Sequence, residues 1–232
     1  MIYPDFRQFK KLAKQGNVIP VYREILADLE TPVSAFLKID DTAYSYLLES
    51  VESQENVGRY SFLSANPSIV FRSKGRRVDF IRLTRNGRQK RSYQCPNSPL
   101  DEVRVLMAGL RFVPVKGLPR FCGGFIGYVG YDMVRFFEKI PDKNPDELEV
   151  PDSVLMLSDT LVIFDHVNRK IKVVANAILS GHESAASLRR VYNESTRKIV
   201  RLFRKLHRPL KTSSDPIGPT RSLKIASNMT KQ

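Results

Sequence analysis

The stretch LLESVESQENVGRYSFLSANP, residues 47–67, decides how the rest of this chain is interpreted. It predicts an apolar strand that ends in Glu49 and Ser50, a polar loop, and a second strand that opens at Gly58. Strand ends that present a carboxylate, hydroxyls and the Arg59 cation could hold a small zwitterion, with the carboxylate meeting its ammonium group. A polar strand end followed by a turn is also ordinary in antiparallel sheets, so the local pattern leaves both interpretations open.

Two further segments accompany this stretch: IPVY at 19–22 with PVSA at 32–35, and GGFIGYVGYD at 123–132. Together with LLES, GRYSF and the NP that ends residues 47–67, they resemble the amino-terminal domain of anthranilate synthase component I. The resemblance keeps the same order along nearly the whole chain. It therefore implies a fold and a function for the entire sequence rather than for one motif.

The resemblance implies that LLES lines a feedback site for L-tryptophan. Glu49 and Ser50 match the family motif residue by residue, whereas Pro20 and Tyr60 are carried over less directly because the loop between the strands varies in length. Tryptophan offers an ammonium, a carboxylate and an indole that needs an apolar slot and an acceptor for its N–H. We expect Glu49 to meet the ammonium together with backbone carbonyls near Pro20. Some contacts in the family come from the other domain, so we expect the site in this chain to be incomplete.

The chemistry implied by the resemblance lies outside this chain. In the family, chorismate and Mg2+ are held by a separate carboxy-terminal domain, and a glutamine amidotransferase, component II, supplies the ammonia that yields anthranilate and pyruvate. No residue here matches those positions, so we assign no catalytic residue, metal ligand or cofactor to the chain. SNMTK at 227–231 resembles the opening of that domain. We therefore expect a tryptophan-sensing domain over 1–208, and a linker with the first residues of a missing chorismate-binding catalytic domain over 209–232.

Two other functions remain open. Component I of aminodeoxychorismate synthase shares the same domain plan. A basic nucleic-acid-binding protein would explain the net charge of +14, although residues 169–232 hold 15 Lys and Arg against 3 acids, so the charge is concentrated in that part of the chain. No aromatic residues alternate with those cations, as a protein that binds single strands would require.

Composition predicts a globular protein of the cytoplasm, since 42% of residues are apolar and 27% are charged. No apolar run approaches the roughly 18 residues needed to cross a bilayer. The start, MIYPDFRQFKK, has no apolar segment of the kind that secretory signals contain. Cys95 and Cys122 are too few for a disulfide framework, and we expect both to be reduced thiols.

Periodicity predicts an α+β fold of largely antiparallel, sandwich-like sheets with flanking helices. Helices are predicted at 5–15, 22–29, 99–110 and 184–207, and strands at 33–39, 43–50, 60–64, 68–73, 77–84, 88–94, 155–164 and 170–177. The last two strands form a hairpin. His166 beside that turn, like His182 and His207, is interpreted as a surface histidine because no Cys or acid lies at metal spacing.

The glycine-rich stretch 123–130 lacks the GxGxxG spacing of a dinucleotide loop. Its glycines alternate with aromatic residues, which predicts a tightly packed central strand where small residues let neighbouring backbone approach. Helix 184–207 has one apolar stripe and one cationic face. That face is interpreted as solvated, with RNA, DNA or an anionic membrane surface as the alternative, and the stripe could pack against a second domain.

Overall fold

The structure, a computed structural model, describes residues 1–40, 43–49, 58–84, 87–143 and 145–210. Within these ranges the chain forms two antiparallel sheets with flanking helices, which confirms the predicted α+β class. The larger sheet has the spatial order β1 (Ile2–Tyr3), β2 (Val18–Leu26), β11 (Lys170–Ile178), β10 (Thr160–Asp165), β4 (Tyr60–Ala65) and β3 (Ser45–Glu49). The smaller sheet has the order β7 (Gly87–Gln94), β6 (Arg77–Thr84), β5 (Ile69–Lys74), β9 (Ser153–Ser158) and β8 (Gly124–Val129).

The helices divide between the two sheets. The larger sheet carries α1 (Phe6–Leu12), α2 (Pro32–Ile39) and α4 (Ala185–Leu206) on one face, where buried side chains such as Phe9, Leu63 and Ile199 form the main core. Each such side chain contributes roughly 1.5–3 kcal/mol through burial. Helix α3 (Pro99–Ala108) packs on the smaller sheet, and a 3-10 helix (Tyr131–Phe136) follows β8.

The apolar stripe of α4 packs on the chain's own larger sheet. Ile199 and Leu206 are fully buried there, and Leu188, Val191 and Leu202 pack against the same core. The stripe is therefore not available to a second domain, which corrects one expectation from the sequence. The predicted bounds of this helix are confirmed to within a residue at each end, and Ser184 caps it by accepting a hydrogen bond from the Ser187 backbone N–H.

The chain crosses between the sheets at two neighbouring places. One crossing, residues 66–68, joins β4 to β5, and the other, Asp159 alone, joins β9 to β10. Ser64 Oγ donates to the Thr160 carbonyl oxygen at 2.5 Å, which links the two crossings. The single strand predicted over 155–164 is therefore wrong, because Asp159 divides it between two sheets.

Segment 33–39 is a helix rather than the predicted strand. Thr31 and Ser34 form a reciprocal capping box, with the Ser34 N–H donating to Thr31 Oγ1 at 3.0 Å, and Pro32 occupies the first turn. The two buried residues, Ala35 and Ile39, are four apart and so lie on one helical face. Capping chemistry outweighed the apparent alternation of the apolar residues.

The helix predicted at 22–29 is also wrong, because its first five residues continue β2. All nine residues of β2 pair with β11, from Val18 opposite Ile178 to Leu26 opposite Lys170. Side chains alternate between the helix-covered face, as Ile19 does, and the opposite face, as Tyr22 does. Pairing with a distant strand decided the structure here, and local periodicity does not report that pairing.

The predicted close approach at the glycine-rich strand is confirmed, but the strand is not central. In the described sheet, β8 is an edge strand that pairs with β9 only. A Cβ atom at Gly127 would overlap the carbonyl oxygen of Val154, and one at Gly130 would lie 2.9 Å from the carbonyl oxygen of Asp152. Only hydrogen at these positions lets β8 and β9 lie this close.

We expect Gly127→Ala to lower the free energy of unfolding by about 1–3 kcal/mol, because the added methyl group forces the backbones of β8 and β9 apart. Urea denaturation of the purified chain measures this difference. Gly109→Ala is the matched control: Gly109 has a helical backbone after α3, and its added Cβ would meet its nearest atom at 3.8 Å. Equal loss of stability in both variants would contradict the steric explanation.

Candidate functional site

The candidate site lies at the end of the larger sheet, where β3 stops and β4 starts. The register places Glu49 opposite Ser61, and Ser61 opposite Phe164 of β10. Directly opposed residues in antiparallel strands point to the same face, so these three side chains form a row on the helix-covered face. Glu49 is exposed, whereas Ser61 is 2% exposed.

His166 completes this row on the helix-covered face. Its Nε2 lies 2.8 Å from Ser61 Oγ, its backbone N–H donates to the Arg59 carbonyl oxygen at 2.9 Å, and its ring stacks on Phe164 with centroids 6.2 Å apart. The histidine is exposed, as expected, but its contact with Ser61 could not be read from the sequence because 105 positions separate the two residues.

Among the described residues, the serine–histidine contact lacks the third member of a catalytic set. No carboxylate orients the His166 ring among the residues that the structure describes, and Ser61 is too buried to meet a substrate. The hydrogen bond instead fixes the start of β4 against the end of β10. It leaves the imidazole exposed at the same end of the sheet as Glu49.

A buried carboxylate organises the opposite face. Asp165 is fully buried and accepts hydrogen bonds from Asn168 Nδ2 at 2.8 Å and from two nitrogens of Arg59 at 3.4 Å each, while Lys172 Nζ lies 3.5 Å away. Burial alone would raise the pKa of the Asp165 carboxyl, but the hydrogen bonds from Asn168 and Arg59 outweigh it and hold the pKa below its usual value.

Arg59 is held by the same carboxylate. The pKa of its guanidinium is raised, chiefly by the hydrogen bond to Asp165. The group lies 4.9 Å from the Tyr60 ring centre, and half of the side chain is exposed. Its Nη1 makes no hydrogen bond with the described residues, so a cation of fixed orientation faces solvent near the end of the sheet.

The structure describes three of the four residues predicted to bind tryptophan, and these three do not meet at one place. Glu49 and Tyr60 lie on adjacent strands, but Tyr60 packs with Phe62 on the face opposite to Glu49. Ser50 lies outside the described residues. Pro20 is buried in β2, opposite Asn176 of β11.

Pro20 is far from Glu49 in both directions of the sheet. Four strand spacings separate β2 from β3, which is about 19 Å across the sheet. The register also places Ile25, not Pro20, level with Glu49. Carbonyl groups near Pro20 therefore do not meet a ligand group bound at Glu49, and the expectation that joined these two residues is wrong.

The described residues contain no group of three or more His, Cys, Asp or Glu side chains arranged to hold a metal ion. Among the described helices, none combines the length and the apolar content that crossing a bilayer requires. Cys95 and Cys122 are buried and unpaired, and burial raises the pKa of the Cys122 thiol to about 12.

No protein-family model matches the chain. The anthranilate synthase component 1 of Synechocystis sp. is 40% identical over 212 residues, which cover 90% of this chain and 40% of the relative. The same-named protein of Acetivibrio thermocellus is 32% identical (89% of this chain, 40% of the relative), and that of Pseudomonas aeruginosa is 38% identical (88% and 40%). The chain corresponds to the amino-terminal part of anthranilate synthase component 1.

The chain spans about 40% of the length of those relatives. A crystal structure of anthranilate synthase component I from Streptococcus pneumoniae TIGR4 is 24% identical, with a TM-score of 0.44 over 75% of this chain and 36% of that one. The first three residues of LLES lie on β3, GRYSF lies at the start of β4, and the glycine-rich motif lies on β8.

Acid should remove the stabilisation that Asp165 provides. Its folded pKa lies below the unfolded value of about 3.9, so the carboxylate stabilises the fold above that pH, and this contribution is lost as pH falls through the folded pKa. We expect Asp165→Asn to lower the free energy of unfolding by about 3 kcal/mol at pH 7, because Lys172 and Arg59 lose their anion. The difference from the parent should shrink as the pH falls from about 5 toward 2.

Urea denaturation at a series of pH values checks this expectation. Asp142→Asn is the control, since Asp142 is 75% exposed and its ion pair with Arg135 contributes little. A stability difference for Asp165→Asn that stayed constant down to pH 2 would show that the carboxylate charge is not the cause.

Proposed function

We propose that this chain is the tryptophan-sensing part of an anthranilate synthase component I, and that the Glu49 end of its larger sheet binds L-tryptophan as a feedback inhibitor. The supporting observation is Glu49 itself. It is exposed at the end of an edge strand, directly beside Ser61, and makes no ion pair or hydrogen bond with the described residues. A carboxylate in that position is free to accept an ammonium group.

The geometry favours a ligand bound across the end of the sheet rather than on one face. Glu49 and His166 lie on the helix-covered side, whereas Tyr60 and the Asp165–Arg59 pair lie on the other. An amino acid at the sheet end can meet Glu49 with its ammonium and the free nitrogen of Arg59 with its carboxylate. Tyr60 then offers an aromatic ring to an indole.

The proposal also covers the reaction of the longer protein, which we do not assign to any residue of this chain. For the longer protein we propose conversion of chorismate and glutamine-derived ammonia to anthranilate and pyruvate in the cytoplasm, with component II as the amidotransferase. Mg2+ would serve the catalytic domain, and the described residues of this chain offer no cluster that fits it. The names of the relatives, anthranilate synthase component 1, favour this reaction over the aminodeoxychorismate branch.

We assign the surface that meets the chorismate-binding catalytic domain to β8 and the 3-10 helix after it. Strand β8 is an edge of the described sheet, and its unpaired side offers backbone donors and acceptors. Four large apolar side chains lie exposed there, with between 46% and 80% of their surface accessible: Tyr128, Val129, Tyr131 and Phe137. A surface of this kind is typical of a protein contact.

We expect this chain alone to make no anthranilate, because the lyase and amination steps need metal-held chorismate and no described cluster could hold the metal. The measurement is anthranilate fluorescence from the purified chain with chorismate, Mg2+ and ammonium. The full-length Synechocystis relative serves as the positive control. Product above the no-protein background would contradict the expectation.

Substitution of Glu49 or Ser50 should weaken tryptophan binding. In the chain rejoined to a catalytic domain from a relative, we expect Glu49→Ala and Ser50→Ala each to lower affinity roughly 10-fold, as loss of a charge-assisted hydrogen bond implies. The chain by itself should bind roughly 30- to 150-fold more weakly, because two or three hydrogen bonds from the other domain are lost. Calorimetry measures both differences.

Glu147→Ala, which removes an exposed acid in the loop before β9, is the control and should bind like the parent. If Glu49→Ala and Ser50→Ala both bind L-tryptophan as tightly as the parent, the ligand site lies elsewhere.

A further inference from the structure

A cavity lies where the two crossings between the sheets meet helix α4. It has a volume of about 450 Å3, which falls in the range of small-molecule sites. Residues 65–68 and 159–160 form one side, and Lys198, Arg201 and Lys205 of α4 form the other. Leu83 and Leu202 contribute apolar surface. The cavity exists because the strands diverge at this point to join different sheets.

The side chains around this cavity carry excess positive charge. Three cations line it against one carboxylate, that of Asp159. Lys198 Nζ donates to Asp159 Oδ2 at 2.6 Å, so these two groups neutralise each other. Lys205 also has an interaction partner, so it is not counted as a free cation. Arg201 is exposed and makes neither a hydrogen bond nor an ion pair with the described residues, so its charge is uncompensated.

Three hydroxyl groups line the cavity across from α4, and two of them are free to donate. The third, Thr84 Oγ1, already donates to the Gly87 carbonyl oxygen at 2.9 Å. Ser68 and Thr160 also line the cavity, and their hydroxyls make no hydrogen bond with the described residues. A guanidinium and two hydroxyls that line one cavity form a donor set from which a carboxylate or a phosphate can accept hydrogen bonds.

We propose that this cavity binds a small organic anion with an apolar body, either a carboxylate or a phosphate monoester. Arg201 holds the anionic group, because its planar fork matches two oxygens at once. The hydroxyls of Ser68 and Thr160 donate to the same group, and the apolar body lies on Leu83 and Leu202. The site is separate from the Glu49 end of the sheet.

The test is calorimetric titration of the whole chain at low salt with inorganic phosphate, phenyl phosphate and phthalate. We expect saturable one-to-one binding of phenyl phosphate, of phthalate or of both, and weaker binding of inorganic phosphate, which lacks the apolar body. Arg201→Gln should weaken that binding roughly 10- to 100-fold, because a charge-assisted contact is lost. Ser68→Ala should weaken it less, since a neutral donor is removed.

Arg197→Gln is the matched control, because Arg197 is an exposed arginine one turn earlier on α4 and does not line the cavity. It should bind like the parent, and all variants should unfold at the same urea concentration as the parent. Equal weakening by both arginine variants would show diffuse attraction to the cationic helix and overturn the proposal. Failure of every probe to saturate would do the same. The stronger of phenyl phosphate and phthalate identifies the anionic group.

Discussion

The switch of the chain from one sheet to the other at Asp159 is the constraint on which the rest of the structure depends. Strand β9 pairs with β5 and β8, and β10 pairs with β4 and β11, yet only one residue connects the two strands. So short a connection fixes where each sheet begins. The Asp159 carboxylate is 7% exposed, and Lys198 supplies its counter-charge from α4. Because an unpaired buried charge is unfavourable, the same ion pair positions the helix over the crossing.

The other end of the larger sheet is arranged by a different charge. Asp165 lies on the face opposite to Glu49, and it collects Arg59, Asn168 and Lys172 around one buried carboxylate. These contacts hold Arg59 at the sheet end without using its whole guanidinium. The two carboxylates of this region thus differ: the buried one holds Arg59 and Lys172 in place, and the exposed one makes no side-chain contact with the described residues.

Sequence patterns predicted the strands whose partners are close in the chain. The hairpins among β5, β6 and β7 follow from alternation and turn residues within a few positions, and the amphipathic helix α4 follows from its own stripe. Errors occurred where distant pairing or capping decided the outcome. Residues 22–26 became strand because β11 lies beside them, and residues 33–39 became helix because of the capping box at Thr31.

The candidate site could be predicted only in part, because distant pairing also decides its geometry. Glu49 was singled out because it belongs to a local motif, and its role in binding stays a prediction. The contact of Ser61 with His166 and that of Arg59 with Asp165 could not be predicted, because each joins residues about a hundred positions apart. Pro20 was misplaced because sequence order says nothing of the three strands that lie between β2 and β3. Net charge was equally uninformative, since it does not reveal which cations are already paired.

Strands β4 and β10 lie side by side and span the distance between two separate regions of the molecule. One end of this strand pair holds Tyr60 and Asp165, and the other end holds Ala65 and Thr160, which line the cavity beneath α4. The two ends are roughly 17 Å apart, the length of five residue steps in a strand. Two ligands that ordered the opposite ends of so short an element would be thermodynamically linked. Each would then change the affinity of the other by the same factor.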